Sequence, residues 1–121
     1  MGVLNVQWCK TLLDKDKCIP HVDFLENVLQ NNEFCLVITV DIPSKSLIDI
    51  ITKMLPYNQW FYCNMDELIE TNGNKIKCWI YGHTHTPSNV IINGIPFLCN
   101  PIGYPNENVN LNFLSTIRIG V

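Results

Sequence analysis

The stretch Trp79-Ile80-Tyr81-Gly82-His83-Thr84-His85-Thr86-Pro87 is the one on which the reading of the chain turns. Two histidines, one residue apart, are entered through a glycine and left through a proline. They follow directly on Lys75 to Tyr81, a run with the apolar and aromatic character of a buried strand. In an extended segment residues i and i+2 project to the same side. The imidazoles of His83 and His85 can therefore converge on one object just beyond the strand end. A metal ion is such an object, since neutral imidazole suits borderline divalent ions.

Outward from this stretch the chain alternates strand and helix signals. Pro20 is expected to open an amphipathic helix, with Val22, Leu25, Val28 and Leu29 at helical spacing and Asn31-Asn32 at its end. His21 falls in its first turn, where a solvent-exposed histidine is the ordinary case. Phe34 to Val40 is continuous and β-branched, the mark of a strand covered on both faces. After Asp41-Ile42-Pro43, Ser44 or Ser46 can cap a helix with Leu47, Ile48, Ile51, Met54 and Leu55 on one face, stopped by Pro56. Asn64-Met65-Asp66-Glu67 has the pattern of a capping box and predicts a short helix over Met65 to Thr71, with Gly73 just past its end. Beyond the histidines, Val90-Ile91-Ile92 and Ile95-Pro96-Phe97-Leu98 flank Asn93-Gly94, a strong two-residue hairpin signal. Asn100 to Pro105 reads as a turn-rich loop, and Leu111 to Ile119 as a final strand. These elements make an α/β fold, and in layered α/β folds sites are built at the carboxyl ends of strands.

Length and composition exclude several classes. The 121 residues, 47% of them hydrophobic, fit one domain with a real core, with residues 1–19 as an unassigned lead-in. A formal net charge of -3 with scattered Lys and Arg leaves no patch for nucleic acid. No apolar run reaches the roughly 18 residues needed to span a bilayer, so no membrane segment is expected. Met1 to Lys10 lacks signal-peptide features, and the expected location is cytoplasmic. The six cysteines form no C-x-x-C pair and read as small buried hydrophobes of a reducing compartment. Trp8, Trp60 and Trp79, with Phe61 and Tyr62, have no basic residues interleaved and are expected in the core rather than stacked on bases.

Gly82-His83-Thr84-His85-Thr86-Pro87 resembles the terminal G-H-T-H motif of the calcineurin-like metallophosphoesterases. The following Asn93-Gly94 hairpin and Asn100-Pro101-Ile102-Gly103-Tyr104-Pro105 resemble that family's subsequent hairpin and loop. Upstream, Val37-Ile38-Thr39-Val40-Asp41-Ile42-Pro43-Ser44 is similar to the strand and turn that carry Thr-His-His and then Pro-Ser. The likeness covers Pro20 to the C-terminus and implies the C-terminal portion of a β-sandwich flanked by helices. It further implies a site with two metal ions (manganese, iron or zinc) and a phosphorylated substrate. By position, His83 would bind the second metal and His85 the first. Gly82 and Asn100 would be structural residues beside them.

The same comparison shows departures. There is no Asp-x-His, Gly-Asp or Asn-His in the chain, and the ligand histidine of the Thr-His-His segment corresponds to Val40. Asp41 is the nearest oxygen donor, but it can replace that ligand only if the backbone bends there. Stable centres draw on three or more protein ligands per ion. The expectation is thus a segment of a metal-dependent phosphoester hydrolase that is inactive alone or needs a missing N-terminal half. The alternative is a non-catalytic protein-interaction module of the same fold. Either case favours a complementing chain or self-association, because half a sandwich exposes apolar faces and sheet edges.

Overall fold

The computed structural model describes residues 2–6, 15–51, 62–108 and 118, with side chains described over 22–48, 62–108 and 118. The elements are β1 (Gly2–Val6), α1 (Lys15–Asn31), β2 (Cys35–Thr39), α2 (Lys45–Ile51), α3 (Asp66–Asn72), a 3-10 turn (Gly73–Lys75), β3 (Ile76–Ile80), β4 (Ser88–Ile92) and β5 (Ile95–Cys99). Trp8, Trp60, Phe61, Met54, Leu55 and Pro56 lie outside the described residues. So does the expected strand Leu111 to Ile119, apart from Arg118.

The strands form one mixed sheet in the order β1-β2-β3-β5-β4. β1, β2, β3 and β5 run parallel, and β4 closes one edge antiparallel to β5. The α/β class expected from the sequence is the class observed. Asn93 and Gly94 both have positive φ, 52° and 78°, which a two-residue turn of this kind requires and which glycine adopts without a Cβ clash.

Register explains the core. Val37 lies opposite Trp79, and Trp79 opposite Phe97, so the three share one face of the sheet. All three are fully buried, and the Trp79 and Phe97 rings stack with centroids 5.8 Å apart. Leu25 and Leu29 of α1, Leu47 and Ile48 of α2, and Leu68 and Ile69 of α3 join them in one buried cluster. Burial alternates along β2, where Cys35, Val37 and Thr39 are buried while Leu36 and Ile38 are half-buried. The expected full cover on both faces of this strand is therefore complete on one face only.

Two helix boundaries differ from the sequence reading. α1 begins at Lys15, so Pro20 sits inside it rather than opening it. Pro20 is thereby the sixth residue of the helix, past the first turn, and it withholds one N–H from the i to i−4 ladder there. α3 runs one residue later than expected, Asp66 to Asn72. Met65 rather than Asn64 is its N-cap, with no side-chain cap bond, and Asn64 Oδ1 accepts the Asp66 N–H at 3.0 Å from one position further out. Gly73, at φ -58°, continues into the 3-10 turn instead of adopting a left-handed cap.

Ser44 caps α2 and ties it to α3. Its Oγ accepts the Ser46 N–H at 3.2 Å and donates to Asp66 Oδ1 at 2.5 Å, while Asp66 Oδ2 accepts the Lys45 N–H at 3.2 Å. Ser44→Ala removes both bonds and should lower unfolding free energy by about 1–2 kcal/mol, read as a lower urea midpoint at unchanged m. Cys35, Cys63, Cys78 and Cys99 are buried free thiols, as the sequence reading expected of them. Burial pushes the Cys99 thiol up to about 11. Alkylation of Cys99 at mildly alkaline pH, followed by peptide mass spectrometry, should therefore be slower in the folded chain by on the order of 10²-fold than in urea.

Candidate functional site

The site begins in the core. Trp79 Nε1–H donates to Thr39 Oγ1 at 2.9 Å, and the Thr39 hydroxyl donates to the Asp41 backbone carbonyl at 3.0 Å. A buried indole N–H needs an acceptor, and here it finds one that is itself a donor. The relay coincides with a bend at Val40 and Asp41, immediately after β2. The backbone thus does what the sequence reading required for Asp41 to reach the histidines. Asp41 is only 4% exposed, and its Oδ1 meets Nδ1 of His83, which is half-exposed. Burial pushes the Asp41 carboxyl above its ordinary range, and the hydrogen bond and charge of His83 pull back only part of that rise.

The histidine loop is held on both sides. Tyr81 N–H donates to the Leu98 carbonyl at 3.0 Å, and Gly82 N–H to the Val40 carbonyl at 2.9 Å, so β2 and β5 flank the entry to the loop. A Cβ added at Gly82 would meet only that Val40 oxygen, at 3.5 Å, an ordinary contact. The contribution of Gly82 is therefore its N–H. His83 itself has φ +66°, a left-handed conformation rare for a residue with a Cβ. Thr84 turns inward, 6% exposed, and its Oγ1 accepts the Thr86 N–H at 3.3 Å. Because His83 departs from extended geometry, the i, i+2 argument does not by itself place the two rings.

His85 has different partners. Its Nδ1 lies 3.0 Å from Glu107 Oε2, and its ring meets Tyr104 edge-on with centroids 4.6 Å apart. The turn Tyr104-Pro105-Asn106-Glu107 closes with the Glu107 N–H on the Tyr104 carbonyl at 2.9 Å. Proline followed by a residue at positive φ, Asn106 at 72°, marks this as a type II turn. That signal was in the sequence, yet Glu107 lies beyond the loop singled out there, and no motif pointed to it. Asn100 is exposed at the end of β5, where it lines, with Pro87 and Leu98, an open depression of about 410 Å³.

Each imidazole thus faces one carboxylate, His83 with Asp41 and His85 with Glu107. A carboxylate accepting from Nδ1–H fixes a ring's tautomer and orientation. Among the described residues, no group of three or more His, Cys, Asp or Glu side chains is placed to hold a metal ion. The residues present therefore do not fit a complete two-metal centre. Also among the described residues, no helix is long and apolar enough to cross a membrane.

The arrangement of the sheet and its helices has a counterpart among solved structures. The fold is similar to that of a phosphopantetheinyl hydrolase from Mycobacterium tuberculosis, at a TM-score of 0.59 and 20% identity, over 76% of this chain and 33% of that one. The sequence is 36% identical over 62 residues to the uncharacterized protein L509 of Acanthamoeba polyphaga mimivirus, covering 51% of this chain and 21% of that protein. The chain thus spans about a third of the structural neighbour and about a fifth of the viral relative. No family model matches it.

The relay from Trp79 to Asp41 can be tested without touching either histidine. Thr39→Val keeps the side chain's shape but leaves a buried indole N–H unpaired, and should destabilise the chain by about 1–3 kcal/mol in urea unfolding. It should also broaden or shift the His83 imidazole resonances while leaving those of His85 in place.

Proposed function

We propose that this chain is a segment of a calcineurin-like, metal-dependent phosphoester hydrolase, to which it contributes His83 and His85. The remaining donors come from elsewhere, because three or more ligands per ion are needed and the described residues do not assemble them. The observation that carries the reading is the loop at the carboxyl end of β3, with two imidazoles each backed by a carboxylate on Nδ1. Similarity of fold to a phosphopantetheinyl hydrolase supports a phosphorylated substrate and hydrolytic chemistry. When bound, manganese, iron or zinc would supply Lewis acidity and an activated hydroxide. The chain's own contribution is to hold the two rings with fixed tautomers. Asp41 serves as the partner of His83 on Nδ1, which spends its carboxylate on orienting that ring, and as an oxygen ligand it would have to give up this contact. Alone, the chain does not turn over substrate.

A second reading, a non-catalytic interaction module, is supported by the apolar side chains around the loop. Val40, Ile102 and Tyr104 are 47%, 57% and 68% exposed. A complementing chain or a second copy covering them would be consistent with either reading.

Calorimetric titration of manganese and zinc, with turnover of bis(p-nitrophenyl) phosphate followed in the same samples, separates the two. The hydrolase reading expects weak uptake that His83→Ala and His85→Ala each reduce about tenfold or more, with no turnover by the chain alone. Metal uptake that neither variant alters, or none at all, sinks it. The module reading then expects self-association by sedimentation velocity that Tyr104→Ser weakens.

A further inference from the structure

We infer that Glu107, carried on the type II turn Tyr104–Glu107 and locked by Gly103 and Asn108, is a positioning residue for His85. Its role is to accept the Nδ1 proton, so that Nε2 carries the lone pair directed at a ligand. This inference rests on the reading of His85 as a site residue, and it concerns the chain's own geometry.

An exposed histidine–carboxylate contact is by itself a weak interaction, since Glu107 and His85 are 40% and 41% exposed. Three further features make it a constructed one. The Asn108 side-chain amide donates to the His85 carbonyl at 2.8 Å and to the Pro101 and Ile102 carbonyls at 3.2 and 3.4 Å. One amide therefore pins the backbone of the histidine loop to the backbone of the loop that bears Glu107. Gly103 has φ +75°, and a Cβ built there would lie 2.5 Å from Glu107 Oε2 and 3.0 Å from its Cβ. Only glycine lets the chain pass this close beneath the carboxylate. Finally, the Tyr104 ring packs on the imidazole in a T-shaped contact, with centroids 4.6 Å apart. Backbone, turn and ring contact all bear on the same side chain.

The chemistry is directional. Free neutral histidine favours the proton on Nε2, whereas a carboxylate on Nδ1 draws it there and leaves Nε2 as the acceptor. A ligand with a vacant coordination site, or an N–H or O–H donor, would meet that lone pair without first shifting a proton.

The test is the tautomer of His85, read from two-bond proton–nitrogen correlations of the full chain at a pH where the imidazoles are neutral. In the native chain His85 should carry its proton on Nδ1. Glu107→Ala should shift the tautomer ratio roughly fivefold toward Nε2–H, the worth of one hydrogen bond. Glu107→Gln, which keeps an acceptor oxygen, should restore the native ratio. Gly103→Ala retains the carboxylate but displaces it, and should behave like Glu107→Ala. A native His85 with its proton on Nε2, or a ratio unmoved by both Glu107→Ala and Gly103→Ala, overturns the assignment. Zinc titration into the same samples reads the other claim separately. Native tautomer with no zinc uptake removes the metal reading and leaves the positioning role standing.

Discussion

The hydrogen bond from the Trp79 indole to the Thr39 hydroxyl is the point at which the core dictates the site. Trp79 cannot move, because it is fully buried, stacked on Phe97 and paired in register with Val37. Its N–H must be satisfied inside the protein, and Thr39 is the acceptor. Thr39 in turn uses its proton on the Asp41 carbonyl, two residues on. The bend that turns the Asp41 carboxylate toward His83 is thus held by a buried aromatic residue on the neighbouring strand. Packing energy in the sheet is converted into the orientation of one imidazole on the surface.

The two histidines are held by means of different stiffness. Asp41 is buried, and removing one member of such a pair leaves an uncompensated polar group with a large free-energy penalty. Glu107 is exposed, and solvent screens most of what its charge could contribute to stability. Backbone hydrogen bonding replaces burial there, through the Asn108 amide and the Tyr104–Glu107 turn. His83 is accordingly bound to the core and His85 to a loop. A ligand that draws the two rings together would do so chiefly by moving His85, because loop displacement costs less than disturbing a packed core.

What the sequence could tell followed from local rules with strong signals. Asn93-Gly94 announced the hairpin because both turn positions need positive φ, and Ser44 or Ser46 announced the start of α2 because a hydroxyl can satisfy an orphan N–H, Ser44 being the one that does. Val37 and Trp79 read as buried strand residues from apolar continuity alone. The misreadings were of another kind. Pro20 is a start signal by propensity, but α1 begins five residues earlier and carries it past the first turn, one ladder bond short. Asp41 could be named only conditionally, since whether a chain bends after a strand depends on what a residue forty positions away demands of Thr39. Glu107 was not singled out because its partner lies twenty-two residues upstream, and exposed glutamates are common on every surface. Long-range hydrogen bonds leave no periodicity in the sequence that carries them.

The charge of the loop argues for what it can bind. From Gly82 to Asn108 there is no Lys or Arg, while Asp41 and Glu107 bring two carboxylates up to the histidines. A phosphate placed there alone would meet charge of its own sign. At about 4 Å one such repulsion amounts to about 1 kcal/mol in water and about 4 kcal/mol near a protein surface. The same carboxylates favour a cation, both directly and by making Nε2 more basic through the ring. An anion at this loop is therefore disfavoured unless positive charge accompanies it, from an ion or from basic side chains outside the loop. The loop as it stands thus suits a cation better than an anion, a preference that two histidines considered alone would not impose.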